Sequence, residues 1–224
     1  MAASSFFGIV LYFLFENTGL KYTTASNASI IIAAVPIFTL VTESLFYKFK
    51  VTKRLIGCVL VSIIGVFVVI FEQGTLDFSS GSIKGNLLMI GAVISWVIYT
   101  IICKSLNGKY KGIVITAYQM IAASIIFIPF IIPEIDQWHG ISTYSLINLL
   151  YLAFFCSALA YFLYNFAVKS LGATVTSMFL NLIPIVSIIG GVLVLKETIS
   201  LLQIGGMLLI MLSLFLIRSK EQQF

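Results

Sequence analysis

The feature that most constrains this chain is a series of long apolar runs separated by short polar segments. A transmembrane helix needs about 20 mostly apolar residues, and about eight runs of that length follow one another. The predicted spans are residues 4–20, 25–47, 54–71, 85–103, 113–132, 144–168, 173–195 and 201–217. Transmembrane strands would be shorter and would alternate in polarity. Because only 9% of the residues are charged, against about 25% in soluble domains, we predict an all-α integral membrane protein.

The positive charge of the chain predicts its orientation rather than a nucleic-acid partner. The net charge is +5, but the basic residues lie in short loops between apolar runs and form no basic face. If the spans alternate in direction, ten of the 13 Lys and Arg residues fall on one side. Short cytoplasmic loops are rich in Lys and Arg. We therefore expect a multi-pass protein of the inner (plasma) membrane with both termini in the cytoplasm.

The sequence also contains an internal repeat. A shift of 148 residues places Asn17 on Asn165 and Lys21 on Lys169, and other apolar and glycine positions follow in the same register. The charge bias puts Lys21 and Lys169 on opposite sides of the membrane, so the two copies are predicted to cross it in opposite directions. Inverted repeats are typical of secondary transporters, whose substrate site lies near the midplane between the copies. Shared apolar composition is the competing explanation.

The two copies are predicted to be unequal. Two further spans, 85–103 and 113–132, precede the second copy, whereas no span precedes the first. We therefore expect an incomplete N-terminal repeat of three helices over residues 1–72 and a complete C-terminal repeat of five helices over residues 85–218. The pattern implies a five-plus-five inverted-repeat bundle from which the first two helices are missing.

Two stretches resemble a known family. The second repeat opens with a glycine-containing helix, 85–106, that carries Trp96 and Tyr99, and it closes with NLIPIVSIIGGVLVLKETISLLQIGGMLLIMLSLFLI, which includes Pro184 and Glu197. This arrangement resembles the EamA-type transporters of the drug/metabolite transporter (DMT) superfamily. The resemblance implies ten helices with both termini inside, which export or import small metabolites. It does not identify the substrate.

Spans two and seven carry small and polar residues on one helical face. In span two these are Ser29, Ala33, Pro36, Thr39 and Glu43, and their equivalents in span seven include Asn181 and Pro184. Small residues also permit close packing of membrane helices, which is the alternative explanation. Because corresponding interruptions in two repeats point to a transporter's binding site, we select Pro36, Asn181 and Pro184 as candidate site residues.

Two acidic residues are predicted to lie within the spans. Glu16 lies near the outer end of span one, where we expect it to bind a proton or a cationic substrate group beside Asn17 and Asn165, unless its carboxylate simply reaches external water. Glu43 lies near the other end of span two, and an ion pair with nearby Lys48 or Lys50 is the alternative there. Ionisable residues inside membranes usually mark functional pathways.

Aromatic side chains complete the set of candidate site residues. We select Trp96, Tyr99 and Tyr161 as substrate contacts, although most aromatic residues of membrane proteins face lipid or the interface. Trp138 and His139 are predicted to be interfacial residues of an outer loop, and Glu197 a structural residue at a helix end. The cysteines and the single histidine lack metal-ligand spacing, so no metal or cofactor is predicted.

These observations favour a secondary-active transporter that moves a small organic metabolite or drug-like solute by alternating access, with proton coupling as an open option. An enzyme would need a cluster of acids, His or Arg at one interface, and the sequence has none. The alternative is an N-terminally truncated, non-transporting membrane subunit or gene remnant. The expected partners are a small-molecule substrate and the lipid bilayer, without nucleic acid. A homodimer or a complementing chain would supply the missing helices.

Overall fold

The computed structural model describes residues 1–73, 80–132, 142–190, 192–193, 196 and 199–218, and every regular element in these ranges is helical. Seven helices are long and apolar enough to cross a membrane, and we number them spans one to seven. They are Ala2–Leu20, Asn27–Tyr47, Lys53–Ile70, Ile83–Asn107, Gly112–Ile131, Thr143–Leu171 and Ala173–Gly190. The predicted eighth span is the shorter apolar helix Leu201–Ile217. The predicted all-α membrane class is thus confirmed.

Spans one and six contain a π-helical turn at matching positions. In each, two α-helical parts flank the π-helix, which is Phe6–Leu11 in span one and Leu152–Leu159 in span six. A shift of 148 residues places the first π-helix inside the second. π-Helical turns widen the backbone locally and are frequent at functional sites. The region between spans one and six is therefore a candidate location for the functional site.

Spans two and seven are each interrupted near their middle. Span two consists of the helices Ala25–Ile32 and Val35–Tyr47, whereas span seven consists of Ala173–Met178, the 3-10 helix Phe179–Leu182 and Ile183–Gly190. Pro36 and Pro184 each occupy the second position of the helix that follows the interruption. Proline is tolerated there because the first turn of a helix has no intrahelical partner for its N–H groups.

Spans three and eight pack closely against each other. Their helices are Lys53–Gln73 and Leu201–Arg218, and they run antiparallel, since Arg54 at the start of one donates to the carbonyl of Leu216 near the end of the other. A Cβ atom on Gly65 would lie 2.8 Å from the Gly206 carbonyl oxygen, and one on Gly206 would lie 2.7 Å from that of Gly65. Only glycine permits this backbone approach.

The described helices form two packed groups, and span four connects them. Spans two, three, seven and eight enclose one apolar core, and spans one, four, five and six enclose the other. Valines of span four also pack against span two. Span six is the least covered helix: only 6% of its most apolar stretch is buried, against 44% for span four. Its outward face therefore contacts no other described part of the chain.

Candidate functional site

A cavity of about 750 Å³ lies between spans one, two, four, six and seven. Its polar or aromatic lining residues are Tyr12, Phe13, Glu16, Trp96, Cys156, Tyr161, Tyr164, Thr176 and Phe179, and the remaining lining residues are aliphatic. Ligand cavities commonly have about 300–1,000 Å³, apolar walls and a few placed polar groups. Of the ten predicted site residues, the structure thus places Glu16, Trp96 and Tyr161 in one cavity.

The cavity walls follow the repeat. Five pairs of lining residues are 148 residues apart, so equivalent positions of the two copies contribute to the same space. The pairs are Tyr12 with Ala160, Phe13 with Tyr161, Glu16 with Tyr164, Ile32 with Leu180, and Val35 with Ile183. Positions related by an inverted repeat face each other across the axis between the copies, which is the place expected for a transporter's substrate site.

Trp96 lies at the centre of an aromatic cluster beside this cavity. Its ring centroid is 4.9 Å from that of Tyr12, 5.1 Å from those of Tyr99 and Tyr164, and 5.9 Å from that of Tyr161. The indole N–H donates to the Tyr164 hydroxyl at 3.1 Å. These tilted and edge contacts are the favoured arrangements of aromatic rings, so the cluster holds Trp96 in a defined orientation. Tyr99 is fully buried behind it and does not line the cavity.

Gly8, a residue that the sequence analysis did not select, makes room for the aromatic cluster. A Cβ atom at this position would lie 2.2 Å from a ring carbon of Tyr99. The carbonyl of Gly8 accepts a hydrogen bond from the Tyr161 hydroxyl at 2.7 Å. Gly8 lies within the π-helix of span one. This glycine therefore lets span one approach span four and orients Tyr161.

Glu16 is the only charged residue among the described residues that line the cavity. It is half-buried, and one carboxylate oxygen accepts a hydrogen bond from the Tyr12 hydroxyl at 2.9 Å. Tyr12 precedes Glu16 by four residues, and this spacing places two side chains on the same helical face. Tyr12 is not among the residues predicted from the sequence, although its spacing from Glu16 would have identified it. Asn17, in contrast, is exposed and does not line the cavity.

Glu43 does not line the cavity and lies at the end of the bundle that also holds Lys104 and Thr174. We call this the lysine end. The side chain is 1% exposed and forms an ion pair with Lys104 of span four. Its other oxygen accepts hydrogen bonds from the backbone N–H of Thr174 at 3.0 Å and from the Thr174 hydroxyl at 2.5 Å. Glu43 thus forms an ion pair, as the predicted alternative stated, but its partner is Lys104 and not Lys48 or Lys50.

The carboxylate of Glu43 caps the helix that begins span seven. Gly172 occupies the position before this helix with φ +84° and has no side chain to bind the first N–H groups. Thr24, its equivalent in span two, caps its own helix by accepting from the N–H of Asn27 at 3.1 Å. An acidic group near a helix N-terminus is favourable because it meets unpaired N–H groups and the positive end of the helix dipole. Glu43 thus joins spans two, four and seven.

The buried carboxamides form structural contacts outside the cavity lining. The amide of Asn165 donates to the Thr116 hydroxyl at 3.1 Å and to the Gln119 side-chain oxygen at 3.0 Å. The amide of Asn181 donates to the Ser62 hydroxyl at 2.8 Å. Buried polar groups need such partners in an apolar environment. Asn165 and Asn181 therefore tie neighbouring spans together, and both are fully or nearly fully buried.

The two candidate prolines lie next to the cavity. Pro36 is buried and Pro184 is half-buried, and each follows a residue that lines the cavity wall. Neither proline is among the residues that line the cavity. Trp138, His139 and Glu197 lie outside the described residues. Within the described ranges, no group of three or more His, Cys, Asp or Glu residues could hold a metal ion.

Comparison with known proteins identifies the family that this arrangement resembles. The model of the EamA-like transporter family matches residues 1–71 and 83–219. A protein named as an uncharacterized transporter of Archaeoglobus fulgidus is 30% identical over 98% of this chain and 77% of its own length. The uncharacterized transporter YetK of Bacillus subtilis is 24% identical over the whole chain and 68% of its own length. These names agree with the prediction that the chain is a transporter and not an enzyme.

A solved crystal structure has a similar fold. Its TM-score against this chain is 0.85, and the match covers 97% of this chain and 75% of the solved one. The sequence identity is 13%, so the likeness concerns the fold alone. It agrees with the all-α architecture described above.

Proposed function

This chain belongs to the EamA-like transporter family, and from that premise we propose that it is a secondary-active transporter that moves a small organic metabolite or drug-like solute by alternating access. Membership in the family, within the DMT superfamily, and the apolar helices make the chain a multi-pass membrane transporter in general terms. Substrate class, mechanism and coupling belong to the proposal. We also propose an inner (plasma) membrane location, with the lysine end and both termini in the cytoplasm.

The observation that carries this proposal is the cavity whose walls come from matching positions of spans one and six and of spans two and seven. Its volume of about 750 Å³ suits a small organic solute. Glu16 is the group in it that can exchange a proton or pair with a cation, because it is the only carboxyl group among the described residues of the lining. We infer that Glu16 couples solute binding to a proton or a cationic group.

Alternating access would use the interruptions of spans two and seven. We infer that the half-helices on either side of each interruption tilt separately, since they border the cavity at Val35 and Ile183. The antiparallel pair of spans three and eight, which meets at Gly65 and Gly206, supports an inverted relation between a three-helix N-terminal repeat over residues 1–72 and a five-helix repeat over residues 85–218. Rocking of such copies about the cavity would expose it to each side in turn.

The bare face of span six favours a second candidate function. Span one packs against spans four and five, whereas span six, its equivalent, leaves its outward face uncovered. We propose that two further helices cover this face, supplied by a second copy or by a complementing chain. On this alternative, the chain alone would be a non-transporting membrane subunit, and activity would appear only when that partner is present.

The test of the transport proposal is a Glu16→Gln substitution in the full-length protein, reconstituted into liposomes. A solute that raises the melting temperature in a thermal-shift screen would serve as the transported probe. We expect Glu16→Gln to abolish the pH dependence of its uptake, because the amide cannot release a proton. Asn17→Gln is the matched control, since Asn17 is exposed outside the cavity. Unchanged pH dependence in Glu16→Gln would refute the role of Glu16.

A further inference from the structure

We propose that the substrate class of this cavity is organic monocations with a flat, apolar body, such as aromatic amines or quaternary ammonium compounds. The inference rests on the proposed transport function and names the substrate of the same site. It follows from three properties of the cavity: the sign of its charge, the arrangement of its aromatic rings and the nature of its remaining wall.

The one acidic residue of the described cavity lining, Glu16, has no partner of opposite charge. No Lys, Arg or His lies among the described residues of the lining. Glu16 forms no ion pair in the described part of the chain, and its one hydrogen bond comes from the neutral Tyr12 hydroxyl. By contrast, Glu43 is paired with Lys104. A lone carboxylate in a space of low polarity attracts a cation and repels an anion.

Aromatic rings of the cavity lining lie next to Glu16. The Tyr12 hydroxyl contacts Glu16, and the Tyr12 ring lies 4.9 Å from the Trp96 ring. A cation held by the carboxylate would therefore lie near electron-rich ring faces, and tryptophan is the strongest partner for cations among the aromatic side chains. Glu16, Tyr12 and Trp96 together suit a cationic head group.

Elsewhere in this protein, lysines occupy comparable positions beside aromatic rings. The ammonium group of Lys84 lies 4.3 Å from the centre of the Tyr22 ring, and that of Lys104 lies 4.7 Å from the centre of the Tyr47 ring. The rings that line the cavity have no such cation among the described residues. We infer that the substrate supplies the positive charge that a lysine supplies in these other places.

The rest of the wall selects the body of the substrate. Leu163, Phe179 and Ile183 contribute apolar surface to the lining. Thr176 has the only hydroxyl group of the described lining that is not phenolic. The Thr176 hydroxyl donates a hydrogen bond to the carbonyl of Gly172 at 2.7 Å. It therefore has no second proton to donate to a solute. A large polar or multiply charged solute would lose hydration without replacing it. A flat apolar body would bury against the wall.

Trp96 provides a direct reporter of binding. The chain has two tryptophans, so Trp138→Phe leaves Trp96 as the only indole. Quenching of its fluorescence in the purified full-length protein would be titrated with three ring-matched probes: the cation N-methylphenylpyridinium, neutral phenylpyridine in mildly alkaline buffer, and the anion biphenylcarboxylate. We expect saturable quenching by the cation, at least about tenfold weaker binding of the neutral probe, and none by the anion.

The position of the charge is tested by two further variants in the Trp138→Phe background. Glu16→Gln should weaken binding of the cation at least about tenfold. The double variant Glu16→Gln with Asn17→Asp keeps the net charge but moves the carboxylate outside the cavity, so it should remain as weak as Glu16→Gln. Thermal melting of each variant verifies that it is folded.

Equal binding of the three probes, or undiminished cation binding in Glu16→Gln, would overturn the cation proposal. The transport proposal is tested independently of the cation proposal, and two outcomes distinguish them. If Glu16→Gln removes pH-dependent uptake of another solute while the cation does not bind, transport stands and Glu16 serves protons alone. If the cation binds through Glu16 but the reconstituted protein moves no solute, the binding proposal stands and the transport proposal is refuted.

Discussion

Replacing Glu43 with glutamine should destabilise the folded protein rather than abolish binding in the cavity. The carboxylate is 1% exposed and carries the ion pair with Lys104 and two hydrogen bonds from Thr174. Glutamine has nearly the same shape, so the substitution removes mainly the charge. The lysine would keep a positive charge without a partner, and Thr174 would donate to a weaker neutral acceptor.

The expected loss follows from these contacts. Breaking a buried ion pair by removing one partner costs about 3–5 kcal/mol, and a hydrogen bond to a charged group contributes about 1.5–3 kcal/mol. Lys104 is 28% exposed, so its ammonium group regains part of its hydration. Glutamine also keeps one oxygen acceptor for Thr174. We therefore expect the free energy of unfolding to fall by about 3 kcal/mol, at the lower end of the range for buried pairs.

The assay is reversible unfolding of the detergent-solubilised protein, with a double-mutant cycle of Glu43→Gln and Lys104→Met. Residues in direct contact show coupling energies of about 0.5–3 kcal/mol, and we expect a value in the upper part of that range. Lys48→Met is the matched control, because Lys48 is not the partner of Glu43 and should change stability by less than about 0.5 kcal/mol. If Glu43→Gln lowers the free energy of unfolding by less than about 1 kcal/mol, the ion pair contributes no more than an exposed pair does. That result would refute the reasoning.

Two glycine substitutions test the packing that shapes the bundle. Gly65→Ala should destabilise the protein by about 1–3 kcal/mol, because its Cβ would lie 2.8 Å from the backbone oxygen of Gly206. The control is Gly57→Ala, whose Cβ would meet nothing within 4 Å. In thermal melting this control should be neutral or slightly stabilising. Equal melting temperatures for the two variants would contradict the close approach of spans three and eight. Gly8→Ala should cost a similar amount and shift Trp96 fluorescence, because the Tyr99 ring must move away from a Cβ at 2.2 Å; an unshifted spectrum would exclude that crowding.

Much of the fold could be predicted because run length, hydropathy and charge spacing are local properties of a sequence. All seven membrane-length helices and the shorter eighth helix coincide with predicted spans within a few residues, and the largest difference is the described end of span seven, at Gly190 rather than residue 195. The interruptions at Pro36 and Pro184 were also visible, since proline acts on its own backbone. Local chemistry thus located the elements and their irregularities.

The candidate site was harder to predict because its contacts join distant parts of the chain. Glu43 and Thr174 are 131 residues apart, and only the fold shows that the acid caps the helix of span seven instead of lining the cavity. The importance of Gly8 likewise depends on the ring of Tyr99 from another span. Tyr12, in contrast, could have been selected from the sequence alone, because a tyrosine four residues before a lone acid lies on the same helical face.

The predicted repeat accounts for part of the cavity wall. Five pairs of lining residues are 148 residues apart, as expected for equivalent positions of the two predicted copies. At one pair the copies differ in charge: Glu16 on span one stands opposite Tyr164 on span six, and both line the cavity. The phenol of Tyr164 is held by Trp96 at 3.1 Å, whereas the carboxylate of Glu16 has no cationic partner in the described chain. A site built with equivalent walls therefore holds its charge on one side, and a cation would bind nearer to span one than to span six.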